Sequence, residues 1–155
     1  MLAKVYSQVH GIDYNETFAP VSKMDSIKLA LAIAASKQWE VHHMDVKCAF
    51  LNGDITEEIY MQQPQGFSTN PSLVCRLRKS LYGLKKAPRA WYAKIDSFLL
   101  SLIFVRCKSD PNVYLKLVNG SLMIIVLYFD LLITGSSQAE IASLKGAMNH
   151  GGFTC

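Results

Sequence analysis

Two carboxylates in this 155-residue chain stand where the surrounding residues are apolar. Asp45 falls near the end of the strand-like segment Trp39–Val46, and Asp130 lies between the apolar runs Met123–Phe129 and Leu131–Ile133. Taking an ionised carboxylate out of water is costly unless a cation, a metal or a set of donors compensates. Each Asp therefore implies either such a partner or an exposed turn. For Asp130 a hairpin tip would serve equally well, and residue chemistry alone leaves the two readings level.

A second candidate is a stripe of positive charge. Arg76, Arg78, Lys79, Lys85, Lys86, Arg89 and Lys94 fall within nineteen residues that contain no acid. With +4 on the whole chain and +7 on this segment, the remainder carries −3. Such a stripe suits a phosphate backbone, whose released counterions drive binding. A solvated charged face explains the same charge without any ligand.

Other chemistries find no support. Gly151-Gly152 lacks the Lys-Ser/Thr that completes a phosphate loop, and no Ser sits in a GxSxG elbow. His10 has no evident nucleophile beside it. His42 and His43 are neighbours in a probable strand, point to opposite faces, and read as ordinary surface or half-buried residues. Cys48, Cys75, Cys107 and Cys155 are scattered without a CxxC pair, which implies free thiols in a reducing compartment. No secretory signal is visible in Met1–Tyr14. The longest apolar run, Leu122–Phe129, is far short of the ~20 residues of a membrane span. The expected setting is intracellular and cytoplasmic, with no membrane partner.

The elements that must hold these groups follow from pattern. Half of the residues are hydrophobic, enough for one folded domain. Asp25 or Ser26 can cap a helix over Ile27–Ser36, which is apolar nearly all round and is expected to be buried. Trp39–Val46 reads as a strand, and Glu58–Gln62 and Leu73–Leu81 as shorter extended segments around a Pro/Gly loop. A helix begins near Pro88, with Trp91, Ile95, Phe98, Leu99 and Leu102 on one stripe. Asn119-Gly120 between Asn112–Val118 and Ser121–Phe129 is a type I′ hairpin signal. Leu131–Thr134 follows as a strand, and Ser136 or Ser137 caps a last helix over Ala139–Met148. The order is mixed α+β, without the alternation of a doubly wound sheet.

Several blocks, taken together, resemble one family. Gly11-Ile12-Asp13-Tyr14-Asn15-Glu16-Thr17-Phe18-Ala19-Pro20-Val21 is similar to the opening signature of copia-type retrotransposon reverse transcriptases. Met44-Asp45-Val46-Lys47-Cys48-Ala49-Phe50-Leu51-Asn52-Gly53 resembles the first catalytic motif of that family. Glu58–Phe67 resembles its fingers segment, and Leu81-Tyr82-Gly83-Leu84-Lys85-Lys86-Ala87-Pro88-Arg89-Ala90-Trp91 a further block. Tyr128-Phe129-Asp130-Leu131 falls where the family has an aromatic, a variable residue and two aspartates. The blocks keep family order over about 3–145, and 146–155 reads as a divergent tail of a single partial domain, 1–155.

The resemblance implies the fingers and partial palm of a right-hand polymerase. It implies two Mg²⁺ ions on Asp45, the carbonyl of Val46 and Asp130, serving RNA-directed DNA synthesis on a template-primer from dNTPs. Phe50 would crowd a ribose 2′-OH, with Tyr82 and Gly83 beside the nucleotide. Lys85, Lys86, Arg89 and Tyr128 would lie nearest the nucleic acid, and Lys23 and Lys28 near the triphosphate. Leu131 stands in place of the second aspartate and offers no oxygen ligand. Without recognisable thumb or RNase H regions, the expectation is a truncated, inactive copy. The alternative is a non-catalytic nucleic-acid-binding remnant that uses the basic stripe 76–94.

Overall fold

A computed structural model describes residues 8–9, 11, 14, 16–47, 49–55, 58–64, 66–67, 70, 72–128 and 130–153. They form two compact units, residues 20–47 with 95–155 and residues 1–19 with 48–94. Among these residues no helix is long and apolar enough to cross a membrane.

The first of these units is built on a five-stranded sheet. Its strands are β1 (Val41–Met44), β4 (Val105–Arg106), β5 (Val113–Val118), β6 (Ser121–Leu127) and β7 (Leu131–Gly135), in the order β1-β7-β6-β5-β4. Every neighbouring pair is antiparallel. The β5–β6 turn uses Asn119 and Gly120 at φ 49° and 79°, the two positive values a type I′ turn needs. Gly135 pairs with Met123, and a Cβ there would come within 2.8 Å of the Leu122 carbonyl oxygen. Glycine permits that close approach.

Side-chain alternation divides the sheet cleanly. Ile124, Val126 and the half-buried Leu132 lie under α1 (Met24–Lys37), around its buried Ala30. The opposite face carries Met44, Tyr114, Ile125, Leu127, Leu131 and Ile133, all buried. The later part of helix α2 (Ala87–Ser101) meets this face, where Tyr114 Oη donates to Asp96 Oδ1 at 2.8 Å. Helix α3 (Gln138–His150) meets it through Lys145 Nζ, 3.0 Å from His42 Nδ1. Removing each such Leu or Ile side chain from water contributes about 1.5–3 kcal/mol.

The capping of α1 differs from the sequence reading. Asp25 and Ser26 lie inside the helix rather than at its cap. The carboxylate that meets the first turn comes from far along the chain. Asp110 Oδ2 accepts from Lys23 N at 2.9 Å, Ser26 Oγ at 2.7 Å and Ser22 Oγ at 3.1 Å. The reading of α1 as buried all round is also corrected, because Met24, Leu29 and Leu31 are exposed. Its small residues Ala30 and Ala34 face the sheet instead. Ser137 caps α3 as expected, accepting from Glu140 N.

The second unit holds a two-stranded ribbon, β2 (Tyr60–Gln62) paired with β3 (Val74–Arg76), a 3-10 turn at Ala49–Asn52 and the start of α2. Its core is Ile59, Leu84 and Ala87, with Phe50, Ile55, Leu77 and Leu81 against them. Gly53 lies so close to α2 that a Cβ would stand 2.8 Å from Ala90 Cβ. Cys75 and Cys107 are free thiols, as expected, while Cys48 and Cys155 lie outside the described residues.

Candidate active site

The two aspartates singled out from sequence flank one rung of the sheet. Met44 closes β1 and pairs with Leu131, which opens β7. Asp45 follows the first directly and Asp130 precedes the second. The antiparallel register therefore places both at the same end of two hydrogen-bonded neighbours. Asp45 is exposed between the buried Met44 and Val46, and the Asp130 side chain is one-third exposed. Neither carboxylate is sealed in the core, so the exposed-turn reading and the metal reading share the same geometry.

Asp130 sits in the three-residue connection 128–130 between β6 and β7, where Tyr128 N donates to the Asp130 carbonyl at 3.0 Å. Its Oδ2 lies 2.9 Å from His43 Nε2. His43 is two residues before Asp45, which lies just beyond the end of β1. His43, Asp130 and Tyr128 line a cleft of about 160 Å³ together with Ile27, Val126 and Leu132. In the sequence His43 reads as an ordinary surface or half-buried histidine. Its alternation did place it opposite His42, but only the β1–β7 register puts it against Asp130.

Leu131 lies on the other side of the sheet. It is wholly buried, paired with Met44 on one side and Leu127 on the other. A side chain at position 131 points away from the face that carries His43 and Asp130. Leu131 is thus a core residue of β7, and a carboxylate in its place would be aimed into the apolar layer.

Lys23 and Lys28 also lie in the sheet unit, and the remaining candidates belong to the other unit. Phe50 is half-buried and meets Tyr82 edge-on, ring centroids 5.1 Å apart, and Gly83 follows at φ 91°. Lys85 Nζ is 2.8 Å from Tyr14 Oη and 4.7 Å from the centre of that ring. Its backbone N–H donates to Gln8 Oε1 at 2.8 Å. Lys86 is half-buried at the head of α2. Within the basic stripe, Arg89 pairs with Glu16, Arg76 with Glu58 and Lys94 with Asp54. Acids outside the stripe thus offset part of its charge, while Arg78 and Lys79 are exposed. Pairing between distant segments could not be read from the linear charge pattern.

The chain matches the model of the reverse transcriptase (RNA-dependent DNA polymerase) family over residues 1–152, and it belongs to that family. Among curated relatives it is 48% identical over 153 residues to the retrovirus-related Pol polyprotein from transposon TNT 1-94 of Nicotiana tabacum. It is 45% identical over 152 residues to that from transposon RE2 of Arabidopsis thaliana, and 44% identical over 139 to that from transposon RE1 of the same plant. The alignments take in 96%, 96% and 88% of the chain, but only 12%, 10% and 10% of those relatives' own lengths. No solved structure matches. The copia-type resemblance found in the motif blocks is thereby established over nearly the whole chain.

Proposed function

We propose that the chain is the fingers and partial palm of an RNA-directed DNA polymerase, with a nucleotidyl-transfer site reduced to Asp45 and Asp130. The sheet unit corresponds to the palm, and the unit with the β2–β3 ribbon to the fingers. One observation carries this reading: the Met44–Leu131 rung has an Asp immediately beyond it on each strand.

Two carboxylates at adjacent strand ends, both reachable by solvent, are the hard oxygen donors that Mg²⁺ requires. The donor set fits the ion, with Asp45, Asp130 and the Val46 carbonyl as the groups that would hold it. Such ions, when bound, would lower the pKa of the primer 3′-hydroxyl and neutralise charge on the leaving pyrophosphate. Phe50, edge-on to Tyr82, would exclude a 2′-hydroxyl, with Gly83 following Tyr82 in the chain. Lys85, Lys86 and Arg89 would contact phosphates, and Tyr128 the primer end. Two aspartates leave the site one carboxylate short, and the chain is inactive in synthesis as it stands. Removing a group that acts in the transition state costs orders of magnitude in rate.

Calorimetric titration of dNTP in Mg²⁺ tests the assignment apart from catalysis. Asp45→Asn and Asp130→Asn should each weaken metal-dependent nucleotide binding at least tenfold. Unchanged binding in both variants would contradict the reading. Duplex binding without any metal-dependent nucleotide binding would favour the remnant that uses only its basic stripe.

A further inference from the structure

A polar network separate from both aspartates runs along the edge of the sheet unit. It joins Glu40, His42, Gln138 and Lys145, all within that unit. Glu40 directly precedes β1, the edge strand that carries His42. Gln138 opens α3, and Lys145 lies about two turns further along the same helix face. Lys145 Nζ stands 3.0 Å from His42 Nδ1, and His42 Nε2 stands 3.3 Å from Gln138 Oε1 and 3.6 Å from Glu40 Oε2. Gln138 Nε2 in turn donates to Glu40 Oε2 at 2.8 Å. A lysine ammonium only donates, so Nδ1 is the accepting nitrogen and the ring proton sits on Nε2, towards the two oxygens. Both sides of the ring therefore select the same tautomer.

We propose that Lys145 is an acyl-acceptor site, with His42 as the base that takes its proton and Glu40 and Gln138 as the groups that orient the ring. The substrate class is a small activated acyl group carried as a thioester. Nucleophile, base and orienting oxygen stand in the order that activated nucleophiles share. The step balances without any redox change. After the ammonium loses one proton to water, the amine attacks the thioester carbonyl carbon. An N–C bond forms and the C–S bond breaks. The second proton passes from Nζ to His42 Nδ1 and on to the departing sulfur, leaving an amide and a thiol. Lys145 is half-buried, the His42 side chain is 22% exposed and Glu40 is at the surface, so a small donor can approach while the ring stays held. Acylation removes the charge at Lys145 and leaves one N–H in place of three, which loosens the tie between α3 and β1.

The test is incubation of the whole chain with acetyl-coenzyme A, with acetylation at each lysine followed by peptide mass mapping. Lys145 should react about tenfold faster than the exposed Lys37 and Lys108, short of the ~100-fold that a well-aligned base contributes. Partial burial alone would make Lys145 the slower. His42→Ala should bring Lys145 down to the rate of the other two. His42→Gln should do the same, because an amide can accept the hydrogen bond but cannot take the proton. The comparison among lysines is made within the parent chain, so it holds whether or not a variant folds. A Lys145 rate no higher than that of Lys37 and Lys108 would overturn the proposal, as would an equal rate in the parent and in His42→Gln.

Discussion

Leu131 and Met44 face each other across β7 and β1 with both side chains buried, and Leu131 is wholly shielded from solvent. Adjacent strand residues point to opposite faces, so Asp130 and position 131 serve different sides of the sheet. In the family pattern a second aspartate follows the first. In this sheet that place is taken by the first core residue of β7. Position 131, the place where the resemblance puts that aspartate, therefore lies in the apolar layer of β7 and not in the 128–130 connection.

A direct consequence concerns Leu131→Asp. Truncating a buried leucine costs about 3–5 kcal/mol, and an unpaired buried charge adds to that. The variant should lower the urea midpoint of the sheet unit sharply and gain no metal affinity. A variant as stable as the parent would show that position 131 is not in the core.

Asp110 makes stability depend on acid. Burial raises its pKa, but hydrogen bonds from Ser26, Lys23 N, Asn112 N and Ser22 outweigh it and hold the carboxyl below its ordinary value. A depressed folded-state pKa means stability that is present above the unfolded value of 3.8. That contribution is lost as pH falls through the lower folded value. Asp110→Asn should cost about 2 kcal/mol near neutrality, in the range for hydrogen bonds to a charged group. It should also flatten the acid limb of the unfolding midpoint against pH. An acid limb unchanged by the substitution would contradict this role.

Gly53 should tolerate no side chain. A Cβ there would meet Ala90 Cβ at 2.8 Å and the Ala90–Trp91 backbone at 3.0 Å. Overpacking of this kind costs about 1–3 kcal/mol, so Gly53→Ala should lower thermal stability. A melting temperature equal to the parent's would show that α2 can yield.

Nucleic-acid binding should be salt-dependent through the head of α2. Neutralising Lys85, Lys86 and Arg89 should flatten the log–log salt slope by about 0.9 for each phosphate that is no longer neutralised. Arg89 pairs with Glu16, so Glu16→Gln should strengthen binding by freeing that guanidinium. Anisotropy titrations from low to moderate salt measure both effects. A slope unaffected by the three substitutions would place the phosphate-binding groups elsewhere.

Much of this arrangement is legible in the residues. Asn119-Gly120 announces its turn because only a positive-φ pair fits the hairpin, and the Trp91, Ile95, Leu99 stripe shows which side of α2 is buried. The motif blocks place Asp45 and Asp130 at their strand ends. What is not legible depends on long-range pairing. The cap on α1 comes from Asp110, the partner of Arg89 is Glu16, and β4 is only two residues long, too short for a pattern. His43 reads as an unremarkable strand residue until β1 is set against β7. That the side chain at 131 faces the apolar layer is visible only once β7 is set between β1 and β6.

Primer extension on a primed RNA template, in Mg²⁺ and in Mn²⁺, tests the central claim most directly. It should compare the parent, Leu131→Asp, and a variant with one aspartate inserted between Asp130 and Leu131. The insertion lengthens the exposed connection and leaves Leu131 in the core. Extension should appear with the insertion alone and vanish again when Asp45→Asn is added to it. Extension by the parent at the inserted variant's rate, or rescue by Leu131→Asp, would contradict a site that is one carboxylate short in its hairpin.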